Sequence, residues 1–77
     1  QSSTSASPSD IDIRRRLGLN VKRLRQAKGW SQEELAFESG LHRTYISGIE
    51  RGVRNPTITI LFKISKSLNV KIEELFF

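Results

Sequence analysis

Residues 31–55 constrain the fold of this chain most, because they carry start and stop signals for two short helices in close succession. Ser31 and Glu34 have the spacing of a capping box, in which the serine hydroxyl and the glutamate carboxylate each accept a hydrogen bond from the other residue's backbone amide. Gly40 is the expected residue just past the end of that helix, since glycine adopts the left-handed conformation at no steric cost. The pattern predicts a helix that starts at about residue 32 and ends before Gly40.

A second short helix is predicted from about His42 to Arg51, with Gly52 as its stop. Ile46 and Ile49 recur at helical spacing and define its buried side. The opposite stripe, spaced i, i+3, i+4 and i+7, is small and polar with one cation: Thr44, Ser47, Gly48 and Arg51. Two short helices joined by a tight turn form a helix-turn-helix, the motif that places its second helix in the major groove of DNA.

Gly48 lies in the middle of the predicted second helix. A glycine there destabilises a helix by roughly 1 kcal/mol relative to alanine and is usually kept where another surface comes close. On one interpretation that surface is the major groove of DNA. On the other, Gly48 packs against a neighbouring helix of the same chain.

The same residues resemble a known family. The run from Leu17 to Phe76 is similar to the Cro/cI-type helix-turn-helix family, also called lambda repressor-like or XRE. Within that family, residues 43–51 followed by Arg54 and Asn55 resemble the controller proteins of restriction-modification systems. The resemblance implies a lambda repressor-like domain that binds double-stranded DNA and regulates transcription.

Three further helices complete the predicted fold. The first begins near Ser9 or Asp10 and ends near Lys28, and its core face consists of Leu17, Val21 and Leu24. Thr57 is placed to cap a fourth helix, whose inner face consists of Leu61, Ile64 and Leu68. Residues 71–77 are predicted to form a short fifth helix. We therefore expect an all-α, compact five-helix domain over residues 11–77, with the helix-turn-helix at about residues 31–52.

The charge of the chain favours a polyanionic partner. Its 77 residues include 13 Lys and Arg against eight Asp and Glu, which gives a net charge of +5. The isoelectric point is near 10.3. Residues 14–28 hold seven of the cations and no acidic residue. Such a run indicates either a nucleic-acid-binding surface or an ordinary solvated helix face.

The composition argues against several other classes of protein. A domain of this size leaves little room for an active site, and the sequence shows no nucleophile–base pair, metal cluster or phosphate-cradling glycine loop. There is no cysteine, and one histidine is a poor metal ligand set. No apolar stretch is long enough to span a membrane, and no signal-peptide core is present. We expect a cytoplasmic protein that is not an enzyme and has no cofactor.

The first ten residues are rich in serine and have almost nothing to bury, so we expect a flexible arm over residues 1–10. The arm carries no Lys or Arg. It differs in this respect from the basic arms with which some members of the family embrace DNA. We therefore assign it no role in binding.

Candidate DNA contacts lie on and beside the predicted second helix. Arg43 is the best candidate for reading bases, because its planar guanidinium can donate to O6 and N7 of one guanine. Thr44 and Ser47 can read bases or brace phosphates. Tyr45 lies toward the flank of the helix, where it contacts the DNA backbone or supports packing. His42, at the start of the helix, favours a cap or a phosphate contact.

The resemblance adds residues outside that face. Gln32 matches the family's phosphate-clamping glutamine, and a helix N-terminus presents free amides to an anion. The positions at which family members hold the phosphate backbone are matched here by Arg51, Arg54 and Asn55. The resemblance also implies that Arg25 pairs with Glu50 inside the domain. Arg25 is then structural and not a DNA contact.

Apolar residues near the C-terminus exceed what the predicted core needs: Ile58, Ile60, Phe62, Phe76 and Phe77. An exposed apolar patch commonly marks a partner surface, and helix-turn-helix dimers read half-sites about 34 Å apart. Controller-like relatives dimerise through their C-terminal helices. We therefore expect a homodimer with its interface at Phe62, Phe76 and Phe77. A partly exposed aromatic residue is the simpler alternative.

One rival function shares the predicted fold. Relatives include eukaryotic coactivators that bridge proteins and antitoxins that neutralise a toxin, and the apolar C-terminus permits such a protein-interaction module. The polar outward face of the second helix and the arginines that follow it favour DNA.

Overall fold

The computed structural model describes the backbone of residues 8–77 and the side chains of residues 13–77. Four α-helices follow one another, namely α1 (Pro8–Ala27), α2 (Gln32–Ser39), α3 (Arg43–Glu50) and α4 (Ile58–Leu68), and a 3₁₀ helix at Ile72–Leu75 follows them. No strand occurs between residues 8 and 77. The all-α class is confirmed, and the count is four α-helices where five were predicted.

The predicted fifth helix is wrong in type and length. Asn69 ends α4 in the left-handed conformation, with a φ of 60°, and the chain then makes only one 3₁₀ turn. Leu75 in that turn is fully buried, and its carbonyl oxygen accepts a hydrogen bond of 3.0 Å from Asn20 Nδ2. Tertiary contacts therefore hold the segment, which is too short to gain from the cooperative hydrogen bonding of an α-helix.

The first helix starts slightly earlier than predicted, at Pro8. Proline is well tolerated in a first turn, because the amide that it lacks would have no partner inside the helix. Residues 1–7, which make up most of the predicted arm, lie outside the described residues. The remaining residues of that arm, 8–10, form the first turn of α1.

The capping signals place α2 and α4 as predicted. The Glu34 amide donates to Ser31 Oγ at 3.1 Å, and the Ser31 amide donates to Glu34 Oε1 at 2.8 Å. Gly40 ends α2 with a φ of 72°. At the start of α4, the Ile60 amide donates to Thr57 Oγ1 at 3.3 Å. Local hydrogen bonds thus fix both ends of α2 and the start of α4.

The core is formed by ten buried apolar residues that come from all five elements: Leu17, Val21, Leu35, Ala36, Ile46, Ile49, Leu61, Ile64, Leu68 and Leu75. Helix α3 packs against both α1 and α2. Its contact with α1 is close at Gly18, where an added Cβ would lie 2.4 Å from the Ile49 carbonyl oxygen. This packing turns Ile46 and Ile49 inward and leaves the opposite side of α3 free.

Candidate nucleic-acid interface

The outward side of α3 carries most of the candidate DNA contacts that were predicted from the sequence. Arg43, Thr44 and Arg51 are exposed, while Tyr45 and Ser47 are half-buried. The Arg51 Nε donates a long hydrogen bond of 3.4 Å to Ser47 Oγ. The structure therefore brings these five polar residues together on one helix and its C-terminal cap, and none of them is buried.

Gly48 does not belong to that outward stripe. It is buried, and a Cβ added to it would lie 2.6 Å from Arg54 Cγ and 3.1 Å from Arg54 Nε. The side chain that comes close to Gly48 thus belongs to the loop after α3. In the free protein Gly48 is therefore covered by Arg54 and does not face the surrounding solvent, and its neighbour is a loop residue, whereas the second interpretation had predicted a neighbouring helix.

Arg54 itself lies back along α3. Its guanidinium carbon is 5.2 Å from the centroid of the Tyr45 ring, within the range of a cation–π interaction. Arg54 is exposed overall, so its charged end remains accessible to a partner. Asn55, the other predicted backbone contact in this loop, is also exposed.

Arg25 and Glu50 form an ion pair under the motif. Arg25 Nε and Nη2 donate to the two Glu50 carboxylate oxygens at 2.7 and 3.0 Å, and Arg25 Nη1 donates to the Trp30 carbonyl oxygen at 2.7 Å. The side chains are only 9% and 4% exposed. Hydrogen bonding to Glu50 raises the pKa of Arg25 above its ordinary value and outweighs the burial that lowers it. The pair ties the end of α1 to the end of α3.

Gln32 connects this buried pair to the surface. Its Nε2 donates to Glu50 Oε1 at 3.0 Å, and its Oε1 accepts a hydrogen bond of 3.3 Å from Arg43 Nη1. The carboxylate can only accept, so it orients the amide with the oxygen toward Arg43. Gln32 therefore links the buried Glu50 to Arg43, the main candidate for reading bases.

Glu33 was missed as a neighbour of the candidate site. Its Oε2 lies 3.8 Å from Arg43 Nε, and the two side chains are 73% and 47% exposed. The contact joins two helices, so neither helical spacing nor the capping pattern around residue 33 could have indicated it. Such an exposed pair contributes little to stability.

His42 occupies the position before the first turn of α3, as the sequence predicted. Its backbone carbonyl accepts hydrogen bonds from the Tyr45 and Ile46 amides at 3.0 and 3.1 Å. Its side chain makes no capping hydrogen bond and is exposed. Of the two roles considered for the imidazole, the cap is therefore not formed, and a contact to phosphate stays a prediction.

The predicted interface residues near the C-terminus differ in exposure. Phe62 is 55% exposed and Phe77 is 81% exposed. Phe76 is half-buried and packs against the core. Among the other apolar residues of this region, Ile58 is exposed and Ile60 packs against the core. Of the three residues predicted for the interface, Phe62 and Phe77 thus expose most of their apolar surface, and Phe76 does not.

From residue 13 onward, no group of three or more His, Asp or Glu side chains is arranged to hold a metal ion. No helix in the described part of the chain combines the length and the apolar character needed to cross a bilayer.

Comparison with known protein families matches residues 21–75 to the family described as helix-turn-helix. The chain belongs to this family. The match includes α2, α3, α4 and the 3₁₀ helix, and therefore covers the elements that build the candidate interface. The predicted resemblance to XRE-type helix-turn-helix proteins is thereby confirmed.

Comparison with individual proteins shows similarity to control proteins of restriction-modification systems. The chain is 51% identical over 65 residues to the control protein C.BamHI of Bacillus amyloliquefaciens, with 83% of this chain and 80% of that protein covered. The chain also superposes on the crystal structure of the restriction-modification controller protein C.AhdI from Aeromonas hydrophila, with a TM-score of 0.80 and 44% identity. The match covers 82% of this chain and 96% of the C.AhdI chain.

A further similar structure contains DNA. The tetramer of the restriction-modification controller protein C.Esp1396I, in complex with its natural 35-base-pair operator, matches with a TM-score of 0.73 at 42% identity. The match covers 82% of this chain and 93% of that chain. The similarity to controller proteins that the sequence predicted from residues 43–55 is confirmed by these relatives.

Proposed function

We propose that this protein is a sequence-specific regulator of transcription that inserts α3 into the major groove of double-stranded DNA. One observation carries the proposal: Ile46 and Ile49 lock one side of α3 into the core, and the opposite side presents Arg43, Thr44 and Arg51 to solvent. An outward face with two exposed arginines and small polar side chains fits the donors and acceptors of base edges and phosphates.

Arg43 is the base-reading residue in this proposal. Within the described part of the chain its guanidinium makes two long contacts, to Gln32 at 3.3 Å and to Glu33 at 3.8 Å. Because both contacts are weak, the guanidinium can turn to a guanine at little cost, and a bidentate contact gives about 1–3 kcal/mol of discrimination between bases. Thr44, which directly follows Arg43, and Ser47, about one turn further along α3, read bases or brace phosphates.

The remaining contacts fix the position of the protein on the DNA backbone. Charged and polar side chains beside the recognition helix serve this purpose, and their effect does not depend on sequence. In this proposal they are His42, Arg51, Arg54 and Asn55, together with Gln32 at the start of α2. Tyr45 supports Arg54 from the flank of α3.

The protein acts as a homodimer in this proposal, with the interface at Phe62, Phe76 and Phe77. Two copies related by a two-fold axis would present two α3 helices to half-sites about 34 Å apart. The exposed Phe62 and Phe77 rings supply apolar area for such an interface. The relative C.Esp1396I is a tetramer on its operator, which supports assembly of this kind.

The similarity to C.BamHI and C.AhdI supports a finer assignment, namely a controller protein of a restriction-modification system. Such a protein binds DNA of the nucleoid in the cytoplasm, and this binding needs neither catalysis nor a cofactor. We therefore assign it no enzymatic step.

Selection of bound fragments from sheared genomic DNA, followed by sequencing, tests the proposal. We expect the purified protein to recover a few discrete fragments that share a two-fold sequence element. Recovery near restriction and methyltransferase genes would support the finer assignment. Recovery of fragments without any shared element would contradict sequence-specific binding, and recovery of no DNA at all would favour the protein-interaction module.

A further inference from the structure

We propose that Gly48 and Tyr45 are positioning residues for Arg54. The absence of a side chain at Gly48 opens a seat on α3 in which the Arg54 stem lies, and the Tyr45 ring holds the guanidinium above it. The inference rests on the proposed DNA-binding function, because it names the residues that deliver one cation of that interface.

The seat is defined by contacts at Gly48. The three atoms nearest to an added Cβ all belong to Arg54: Cγ at 2.6 Å, Nε at 3.1 Å and Cδ at 3.4 Å. An alanine at this position would force the arginine stem to move. Gly48 has ordinary helical backbone geometry, since its φ is not among the positive values found at Gly29, Gly40 and Gly52. Backbone conformation thus gives no reason for a glycine here, whereas the Arg54 stem does.

Tyr45 supplies the second half of the seat. Residues 45 and 48 are three apart and therefore lie on the same face of α3. The Tyr45 ring is half-buried and packs against the core, so it forms a fixed surface under the guanidinium, whose carbon is 5.2 Å from the ring centroid. The guanidinium of Arg54, a residue of the loop after α3, therefore lies beside the first turn of that helix.

The loop between α3 and Arg54 is also fixed. The Gly52 amide donates to the Ile49 carbonyl oxygen and the Val53 amide to the Gly48 carbonyl oxygen, both at 3.0 Å. Gly52 has a φ of 77°, which turns the chain back toward α3. Arg54 therefore starts beside Gly48, and its stem has only to follow the helix surface to reach Tyr45.

A seat of this kind matters for binding because long side chains lose conformational entropy when they are ordered against a partner. Arg54 remains exposed while its stem is held, so much of this loss occurs on folding and is absent on binding DNA. The alternative is that Gly48 gives clearance to DNA directly. The two explanations differ in whether the effect of a side chain at position 48 depends on Arg54.

Four proteins separate these explanations: wild type, Gly48→Ala, Arg54→Ala and the double variant. The probe is a duplex that the wild-type protein selects from a random-sequence pool, and the readouts are Kd and Tm. We expect Gly48→Ala to weaken binding by about threefold to tenfold, the range associated with ordering one long side chain. Its Tm should be equal or higher, because alanine favours a helix. Added to Arg54→Ala, the same change should leave Kd unaltered.

Two results would overturn the inference. Gly48→Ala could bind as the wild type does, which would mean that the seat has no role in binding. It could instead weaken binding equally with and without Arg54, which would mean that the Cβ meets DNA itself. Tyr45→Leu provides a second test, since it should weaken binding in the Arg54 background and have no added effect in the Arg54→Ala background.

A readout without DNA tests the seat independently of the proposed function. The Tyr45 ring current should shift the Arg54 Hε and Hδ proton resonances in NMR spectra of the free protein. Gly48→Ala and Tyr45→Leu should abolish that shift, and Tyr45→Phe should keep it. Wild-type protein that selects no duplex would defeat the proposed function, whereas unshifted Arg54 resonances would defeat the seat alone.

Discussion

The two sides of the helix-turn-helix use arginine in opposite ways. On the inner side, Arg25 is 8% exposed and gives three hydrogen bonds of 2.7 to 3.0 Å to Glu50 and the Trp30 carbonyl oxygen. On the outer side, the Arg43 side chain is 47% exposed, and its contacts with other residues from 13 onward are long, at 3.3 Å to Gln32 and 3.8 Å to Glu33. The Arg25 guanidinium is bound by strong hydrogen bonds inside the protein, whereas the Arg43 guanidinium stays accessible to another molecule.

This difference explains why charge and residue type do not identify a DNA contact. The two arginines lie on opposite sides of the same motif and have the same chemistry, but burial makes Arg25 part of the fold. Gln32 lies between them and contacts both sides, through Glu50 and through Arg43. Substitutions on the inner side should therefore change stability, and substitutions on the outer side should change binding.

The largest expected effect is that of Arg25→Ala. Removal of one partner of a buried pair leaves the Glu50 carboxylate without its counter-ion and costs about 3 to 5 kcal/mol of unfolding free energy. In a domain of this size the Tm should fall by more than about 10 °C. Thermal unfolding followed by circular dichroism measures the change.

Lys22→Ala is the matched control for Arg25→Ala, because Lys22 is an exposed cation one turn earlier in the same helix. Its unfolding free energy should stay within about 0.5 kcal/mol of the wild type. An unchanged Tm in Arg25→Ala would remove the structural role from Arg25 and with it the distinction between the two sides.

Phe62→Ser tests the same distinction for apolar residues. Leu61 is buried in the monomer core, whereas its neighbour Phe62 is 55% exposed. If Phe62 is covered in a homodimer, its loss should weaken dimerisation by roughly 10-fold to 100-fold, because burial of a phenylalanine side chain contributes about 1.5–3 kcal/mol. Sedimentation equilibrium measures the dimer Kd.

Phe37→Ser serves as the control for this variant. Phe37 is 83% exposed on α2, outside the proposed interface. Its substitution should leave the dimer Kd unchanged. Equal dimerisation by Phe62→Ser and the wild type would place the interface elsewhere.

Ser31→Ala should give a smaller effect on the inner, structural side. The capping box satisfies one amide at each of its two residues, and its loss costs about 1 kcal/mol. Thr57→Ala should cost less, since the Thr57 hydroxyl accepts only one long hydrogen bond of 3.3 Å. Urea denaturation compares the two.

DNA selectivity provides the check on Ser31→Ala. The fully folded variant should keep the wild-type order of preference among duplexes, because Ser31 holds α2 and contacts no base in the proposed complex. A changed order of preference would show that the cap and the reading surface are not separate.

Much of the framework could be predicted from local sequence. The capping box at Ser31, the left-handed Gly40 and the hydroxyl cap at Thr57 depend on residues within a few positions of one another, so the sequence determines them directly. The helical spacing of Ile46 and Ile49 gave the buried side of α3 for the same reason. The family resemblance supplied the pairing of Arg25 with Glu50, which are 25 residues apart.

Contacts made between elements could not be predicted in this way. Gly48 was placed on the outer face from its helical position, but the Arg54 side chain folds back from the loop and covers it. The fifth helix became a 3₁₀ turn because Leu75 is held from α1 through Asn20. In both cases a side chain from another element decides the outcome, and helical periodicity carries no signal for such contacts.

We propose that the outer face of α3 reads bases while the residues around it hold phosphates. The most direct test compares Arg43→Ala with Arg54→Ala on every single-base variant of a selected duplex, at several salt concentrations. We predict that Arg43→Ala loses the preference at one base pair, and that Arg54→Ala weakens all duplexes alike and lowers the salt slope by about one unit. If Arg43→Ala weakened every duplex equally and kept the wild-type preference, Arg43 would not read bases and the claim would be contradicted.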